Sequence, residues 1–387
     1  MVDTKQYVAR LRSYAEQRDY AGYDPYDGLN SPVIRALSLK NKWLMLASTQ
    51  ILKRCPLNMR PLLGVRKGHN PKGIGLFLWG YAKLYGIDRQ SKYLKEIERL
   101  LKLLDHLKSE GYSGNCWGYN FDWQSRTFFR PAGAPTVVNT SFIGHALLDC
   151  YALTGQQQAL DMAIPIQDFL LKDLHRTKEG DTFCFSYTPV DTAVVHNANM
   201  LGASILLRLC RHTHHRQSRD DALESLAYSM NHQREDGSWF YAETPYQSWI
   251  DSFHTGFCLQ ALRYCLDEGQ TTQYTEPYAR GIRYYAENFF LEDGTPKYYH
   301  DKTYPIDIHC PAVAISFFSG LGQQYWELTN RTLDWMLNNM WSSQGFFYFR
   351  KHRLYTNRIP YMRWAQAWAF NALTEYLFHG QGGHTYV

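Results

Sequence analysis

The sequence lacks the marks of several protein classes, and each absence narrows its reading. No run approaches the ~18 consecutive apolar residues of a membrane span, and the N-terminus carries no apolar leader core. An integral membrane segment is not expected, and a cytoplasmic location is. The eight cysteines (55, 116, 150, 184, 210, 258, 265 and 310) are scattered without a C-x-x-C pair, which fits reduced, buried thiols. No H-E-x-x-H or other compact ligand motif is present, so no cofactor is expected; the alternative is a divalent metal at Asp307, His309 and His254. Period-two alternation is nearly absent, which argues against a sheet-based fold. The net charge of +5 is spread along the chain. A nucleic-acid partner is therefore not expected, whereas an anionic small molecule or a glycan is permitted. The one basic cluster, at 208–219, reads as a solvated loop, and oligomeric state is left open.

What the chain has in excess is aromatic side chains, with 29 Tyr, 20 Phe and 11 Trp. Tyr and Trp pair a flat apolar face with a polar tip, so they suit a sugar-binding surface as well as a core. They recur in a pattern. Turn glycines followed within a few residues by an aromatic stand at Gly114, Gly180, Gly237, Gly294 and Gly345. After each comes a loop and then a helix opening, at 139–144, 197–202, 251–256, 307–312 and 362–367; a further opening stands at 70–75. Five of the six begin with Asn or Asp (Asn70, Asn139, Asn197, Asp251, Asp307), residues that accept hydrogen bonds from a first helical turn. Each ends five positions on with Gly or Ala, which lets a neighbouring helix approach closely. Second helices follow at 93–107, 160–171, 222–231, 278–290 and 331–340.

Six αα-hairpins can stack as an open solenoid or close into a ring. An open stack needs polar capping repeats, and both ends here are as apolar and aromatic as the middle. The expected fold is an all-α (α/α)6 toroid, a single domain over 32–387, with 1–31 as an N-terminal arm or strap. Its inner helices would point six N-termini at one mouth, which favours an anionic or electron-rich ligand.

The residues placed around that mouth carry the chemistry. Candidate acid–base groups are Tyr241, Asp251, His254, Tyr299, Asp307 and His309, because histidine titrates near neutral pH and a tyrosine donates a proton to a leaving oxygen. Candidate substrate-binding residues are Trp117, Trp123, Trp239 and Trp364 as stacking faces, with His196, Arg126 and Arg363 beside them. An arginine fork matches a carboxylate. Each has a plainer reading too: the Asn and Asp residues as helix caps, the histidines as core residues, and Arg363 as an ion pair closing the ring. For hydrolysis, two carboxylates would be drawn from Asp191, Asp251, Asp301 and Asp307.

The stretch Gln233-Arg-Glu-Asp-Gly-Ser-Trp239 resembles the Q-x-x-x-G-x-W repeat of terpenoid cyclases and protein prenyltransferase β subunits, which are α/α toroids. Neither the D-x-D-D acid of protonation-initiated cyclases nor a D-D-x-x-D is present, and the prenyltransferase zinc set has only a loose counterpart in Asp307, His309 and Cys310. The segments 117–123 (WGYNFDW), 184–189 (CFSYTP), 304–309 (YPIDIH) and 361–364 (YMRW) are similar to prenyltransferase-like proteins associated with polysaccharide biosynthesis. They are more distantly similar to the toroids of glucuronyl C5-epimerases, polysaccharide lyases and six-hairpin glycosidases. The resemblance carries no activity of its own; the residues placed at the mouth lead to the expectation of an enzyme acting on an acidic glycan, by uronate C5 epimerisation or β-elimination, with glycoside hydrolysis as a variant. A terpenoid cyclase or prenyltransferase-like enzyme is one alternative, and a non-catalytic glycan-binding toroid another.

Overall fold

The computed structural model describes residues 3–124, 129–269 and 271–383. In chain order the helices begin with α1 (Thr4–Glu16), α2 (Pro32–Ser38), α3 (Lys42–Arg54), α4 (Pro71–Asp88) and α5 (Ser91–His106). Next come α6 (Val137–Thr154), α7 (Gln157–Ala163), α8 (Ile166–Asp168), α9 (His196–Thr213) and α10 (Arg216–Asn231). The last are α11 (Ser252–Asp267), α12 (Thr275–Asn288), α13 (His309–Ser319), α14 (Trp326–Met340) and α15 (Trp368–Gly380), which is entered through a π-helical turn, Met362–Ala367.

Two kinds of helix follow from two kinds of apolar pattern. In α5 the buried positions are Tyr93, Ile97, Leu100, Leu101 and Leu104, spaced by threes and fours, so one face meets the interior and the other meets water. In α4 every residue from 71 to 84 is buried. That is the state of a helix surrounded on all sides. The inner helices α4, α6, α9, α11, α13 and α15 each pack on the next, and α15 packs on α4, which closes a ring. The outer helices α5, α7, α10, α12 and α14 each pack on the inner helix before them. The sixth outer position is taken by α1, which packs on α15. The fold is an all-α (α/α)6 toroid, and its sixth hairpin joins the two ends of the chain.

The small residues of the repeat sit where inner helices meet. A Cβ on Gly75 would stand 2.8 Å from Ile143 of α6, and one on Gly256 would stand 2.5 Å from Val313 of α13. The expected caps are only partly realised. Asp251 caps α11 by accepting from the His254 N–H. At α6, however, the cap is Thr136, whose hydroxyl reaches the Asn139 N–H, so Asn139 lies inside the helix. Asn197 likewise lies inside α9, and Asn70 makes no cap bond, its amide donating to Asn120 instead.

Short antiparallel ribbons dress the loops: β1 (Trp123–Gln124) with β2 (Phe129–Arg130), β3 (Arg176–Glu179) with β4 (Thr182–Phe185), and the three-stranded β5 (Ile306–Asp307), β6 (Arg350–Lys351) and β7 (Thr356–Asn357). Off the ring, α2 and α3 form a hairpin with a separate small core of Leu29, Ile34 and Leu52. The basic cluster at 208–219 is not simply a solvated loop. It begins inside α9, where the buried Arg208 pairs with Asp149 and bonds His145, because the ring interior there is polar. All eight cysteines are free thiols, six of them buried. Among the described residues, no helix is long and apolar enough to cross a membrane.

Candidate functional site

A cavity of about 650 Å³ opens at the N-terminal ends of the inner helices. Each inner helix or its entry turn sends a residue into it: Lys72 from α4, Val138 from α6, Asn197 from α9, His254 from α11, His309 from α13 and Trp364 from the turn before α15. The loops add Tyr26, Tyr119, Trp123, Tyr187, Tyr241, Trp249, Tyr298 and Tyr299 to the wall, and α3 adds Leu46, Gln50, Lys53 and Arg54.

The best-ordered chemistry is at Asp251 and His254. One oxygen of the buried Asp251 carboxylate lies 2.6 Å from His254 Nδ1 and accepts from the Trp249 indole N–H at 2.9 Å; the other accepts from the His254 backbone N–H at 3.0 Å. A carboxylate so placed fixes the tautomer with a proton on Nδ1 and leaves Nε2 for a ligand. Tyr241 lies flat on Trp249, with centroids 4.7 Å apart, and its ring is 4.6 Å from that of His254. Burial, reinforced by Asp251, raises both the Tyr241 and the Tyr299 phenols. Both are therefore proton donors at neutral pH rather than bases.

A second histidine shares the cavity. The Phe253 ring contacts both, 4.4 Å from His254 and 5.3 Å from His309, centroid to centroid. Burial pushes His309 down to about 4, so its imidazole is neutral at pH 7. Its Nδ1 lies 3.6 Å from Asp307, too far for a hydrogen bond, and is left buried without a partner. Asn197 Oδ1, also on the wall, is in the same condition. Buried polar atoms without protein partners are where a ligand gains most from supplying them.

Asp307 is placed otherwise than expected. It is wholly buried and off the cavity wall, accepting from Arg350 at 3.1 and 2.7 Å and from the Trp364 indole N–H at 2.8 Å. Burial opposes its charge, but Arg350 and His309 overcome it and hold the carboxyl below the usual carboxylate range. It thereby holds the Trp364 indole and, by accepting from the His309 backbone N–H at 3.1 Å, the first turn of α13. Arg363 does face the cavity, yet its fork is filled by Asp24 at 2.6 and 2.8 Å rather than left open for a substrate carboxylate.

Trp123, Tyr241, Asp251, His254, Tyr299, His309, Arg363 and Trp364 are thus brought together on one wall. Trp117, Trp239 and His196 are not on it. The Trp117 indole donates to the Leu104 carbonyl and that of Trp239 to the Ser229 carbonyl, both near the end of the preceding outer helix, which binds these rings into hairpin packing. His196 is held in the core by Glu243 and Ser229. Arg126 lies outside the described residues. Of the proposed carboxylate pool, Asp191 ties its own loop and Asp301 is exposed, so Asp251 is the one acid on the wall among the described residues. Among those residues no three His, Cys, Asp or Glu side chains are gathered to hold a metal, and Asp307 is paired with Arg350.

Two cations escaped the sequence reading. Lys72 Nζ sits among the rings of Phe142, Trp368 and Phe257 at 4.1, 5.2 and 5.4 Å. Burial, then Arg363, lowers its pKa well below the ordinary value. Burial, then Arg350, lowers Lys53 to about 7. A signal for Lys72 was available: at four of the six aligned openings the third position (Lys72, Phe253, His309 and Trp364) reaches the cavity.

No protein-family model matches this chain, and no curated protein matches it by sequence. Solved structures do. The Lin0763 protein from Listeria innocua superposes with a TM-score of 0.66 at 11% identity, over 99% of both chains. Cellobiose 2-epimerase from Bacillus thermoamylovorans gives 0.62 at 14% identity, over 82% of this chain and 90% of that one. The GH76 α-mannanase of Bacteroides thetaiotaomicron gives 0.62 at 12%, over 81% and 87%. The fold is shared. Neither of the two named enzymes is a prenyltransferase, and at these identities the likeness reaches no further than architecture.

Proposed function

We propose that this protein is an enzyme acting on an acidic glycan by proton abstraction beside a carboxylate, as in uronate C5 epimerisation or β-elimination. The observation that carries the reading is the Asp251–His254 pair, aimed into an aromatic, cation-bearing cavity that also holds the neutral His309. In the proposed step, His254 Nε2 takes the C5 proton while Asp251 stabilises the imidazolium that forms. The electron pair moves into the substrate carboxylate, whose own charge favours the protonated form of Lys53; that ammonium and the helix N-termini stabilise the enolate. In epimerisation a proton returns to C5 from the opposite face, for which His309 is the candidate relay. In β-elimination the C4–O bond breaks instead, and the Tyr241 or Tyr299 phenol protonates the leaving oxygen.

Two features favour this chemistry over its rivals. Glycoside hydrolysis by the usual route needs a pair of carboxylates on the wall, and among the described residues Asp251 stands there without a second. A carbocation of the terpenoid kind would share its aromatic floor with Lys72, whose burial favours the neutral amine, a base and nucleophile that would quench it. The structural likeness to an epimerase and a mannanase agrees with a sugar substrate. Incubation with uronate oligosaccharides in D₂O tests the proposal. Deuterium at C5, or the ultraviolet absorbance of an unsaturated product, is expected and should vanish with His254→Ala. The reading fails if neither signal appears, or if the variant keeps either one.

A further inference from the structure

The mouth of the cavity is flanked by a surface that the proposed reaction does not use. Of the 15 large hydrophobic side chains exposed among the described residues, eight fall between Val33 and Leu62. Scattered exposed leucines are ordinary, but such a concentration calls for a partner. Leu37, Leu39, Trp43, Ile51, Leu57 and Leu62 are 64–82% exposed. Helix geometry explains how they come together. Along α3, Met45, Thr49 and Leu52 turn toward the hairpin's own core, and Leu46, Gln50 and Lys53 toward the cavity. Trp43, Leu44, Ala47 and Ile51 are left outward at three- and four-residue steps, and Val33 and Leu37 continue them on α2.

The charge on this surface has one sign. No Asp or Glu occurs between Asp27 and Asp88. Arg35 is committed to Asp122, but among the described residues Lys40, Lys42, Arg54, Arg66 and Lys67 form no ion pair. The neighbouring tip between β6 and β7 has the same character: Leu354 is 93% exposed and flanked by Lys351 and Arg353, and the tip is tied to the end of α3 by the Asn357 amide, which donates to the Cys55 carbonyl.

We infer that the α2–α3 hairpin docks this protein on an anionic bilayer surface. Outward Leu, Ile and Trp side chains enter the boundary between headgroups and acyl chains, and the lysines and arginines around them meet lipid phosphates. A helix of 13 residues such as α3 is too short to cross a bilayer and lies along it. A second copy of the chain fits less well, because a two-fold contact would press this cationic surface against itself. The inference does not depend on the reaction proposed above.

Flotation of the full chain with phosphatidylcholine vesicles, with and without phosphatidylglycerol, tests it. The protein should float with the anionic vesicles only, and less so as salt rises. Lys40→Glu with Lys42→Glu should weaken partitioning by roughly tenfold or more. Leu37→Ser, Trp43→Ser and Ile51→Ser combined should abolish it, with circular dichroism and elution volume unchanged. Failure of the wild-type protein to float with anionic vesicles overturns the inference, as does equal flotation of the folded triple variant. So does light scattering that shows a dimer dissociated by the triple variant in a protein that ignores vesicles.

Discussion

Asp251 uses both carboxylate oxygens, one to start a helix and one to hold the imidazole three residues on. Capping and the proposed catalysis thereby share one side chain, since the carboxylate that fixes the first turn of α11 through one oxygen fixes the tautomer of His254 through the other. Asp251→Asn keeps a cap but can present an N–H to Nδ1, so kcat for deuterium uptake should fall by about 10²–10⁴-fold with KM little changed. His309 governs a different observable. Its proton is bound near 4 in the folded chain against an ordinary 6.5. Between those values the unfolded chain holds more protons, so stability rises with pH and is lost as acid is added. In urea titrations between pH 6.5 and 4, His309→Gln should therefore lose stability less steeply than wild type. The pair at 251 and 254 was legible because it stands in one local register. For Arg363 an ion pair closing the ring was one of two readings, but its partner was not legible, because Asp24 is 339 residues away in sequence.

At the scale of elements, the turn motif has a definite task. Trp117 and Trp239 each follow a turn glycine, and each indole donates to the carbonyl two residues before the last residue of the preceding outer helix, Leu104 in α5 and Ser229 in α10. Each adds a second donor to a carbonyl of the last helical turn, which also accepts from the C-cap N–H of Leu107 or His232. Gln233 adds a bridge, its amide donating to the Gly237 carbonyl and to Pro277 in α12. The sequence showed these residues recurring but not which way the rings turn; that depends on where the helix in front ends. The register glycines are the complementary device. At Gly256 a side chain would meet Val313 at 2.5 Å and the Tyr285 hydroxyl at 3.1 Å. Gly256→Val should lower stability by about 1–3 kcal/mol in urea unfolding, because α11 and α13 must part to admit it.

At the scale of the molecule, the six repeats made the ring readable, since each hairpin hides its apolar stripe only against its neighbours. The helix that completes the sixth hairpin was harder to see. It lies in the segment read as an arm or strap, and nothing local in Val8, Leu11 and Ala15 says that their buried stripe faces α15. The joint is reinforced by charge: Asp24 holds Arg363, and Asp27 holds Arg60, which also donates to the Tyr361 hydroxyl. Asp24→Ala leaves the buried Arg363 guanidinium unpaired and should cost about 3–5 kcal/mol, read as a lower urea midpoint.

That joint also sets an order of events during synthesis. The helix α1 leaves the ribosome before all six inner helices, and its mate α15 after the other five. Five hairpins can assemble as they emerge, but the first helix must wait with its apolar stripe uncovered until the final one is released. The circle is completed only when translation has reached the sixth inner helix, so a stalled or truncated chain holds an open arc with two bare ends.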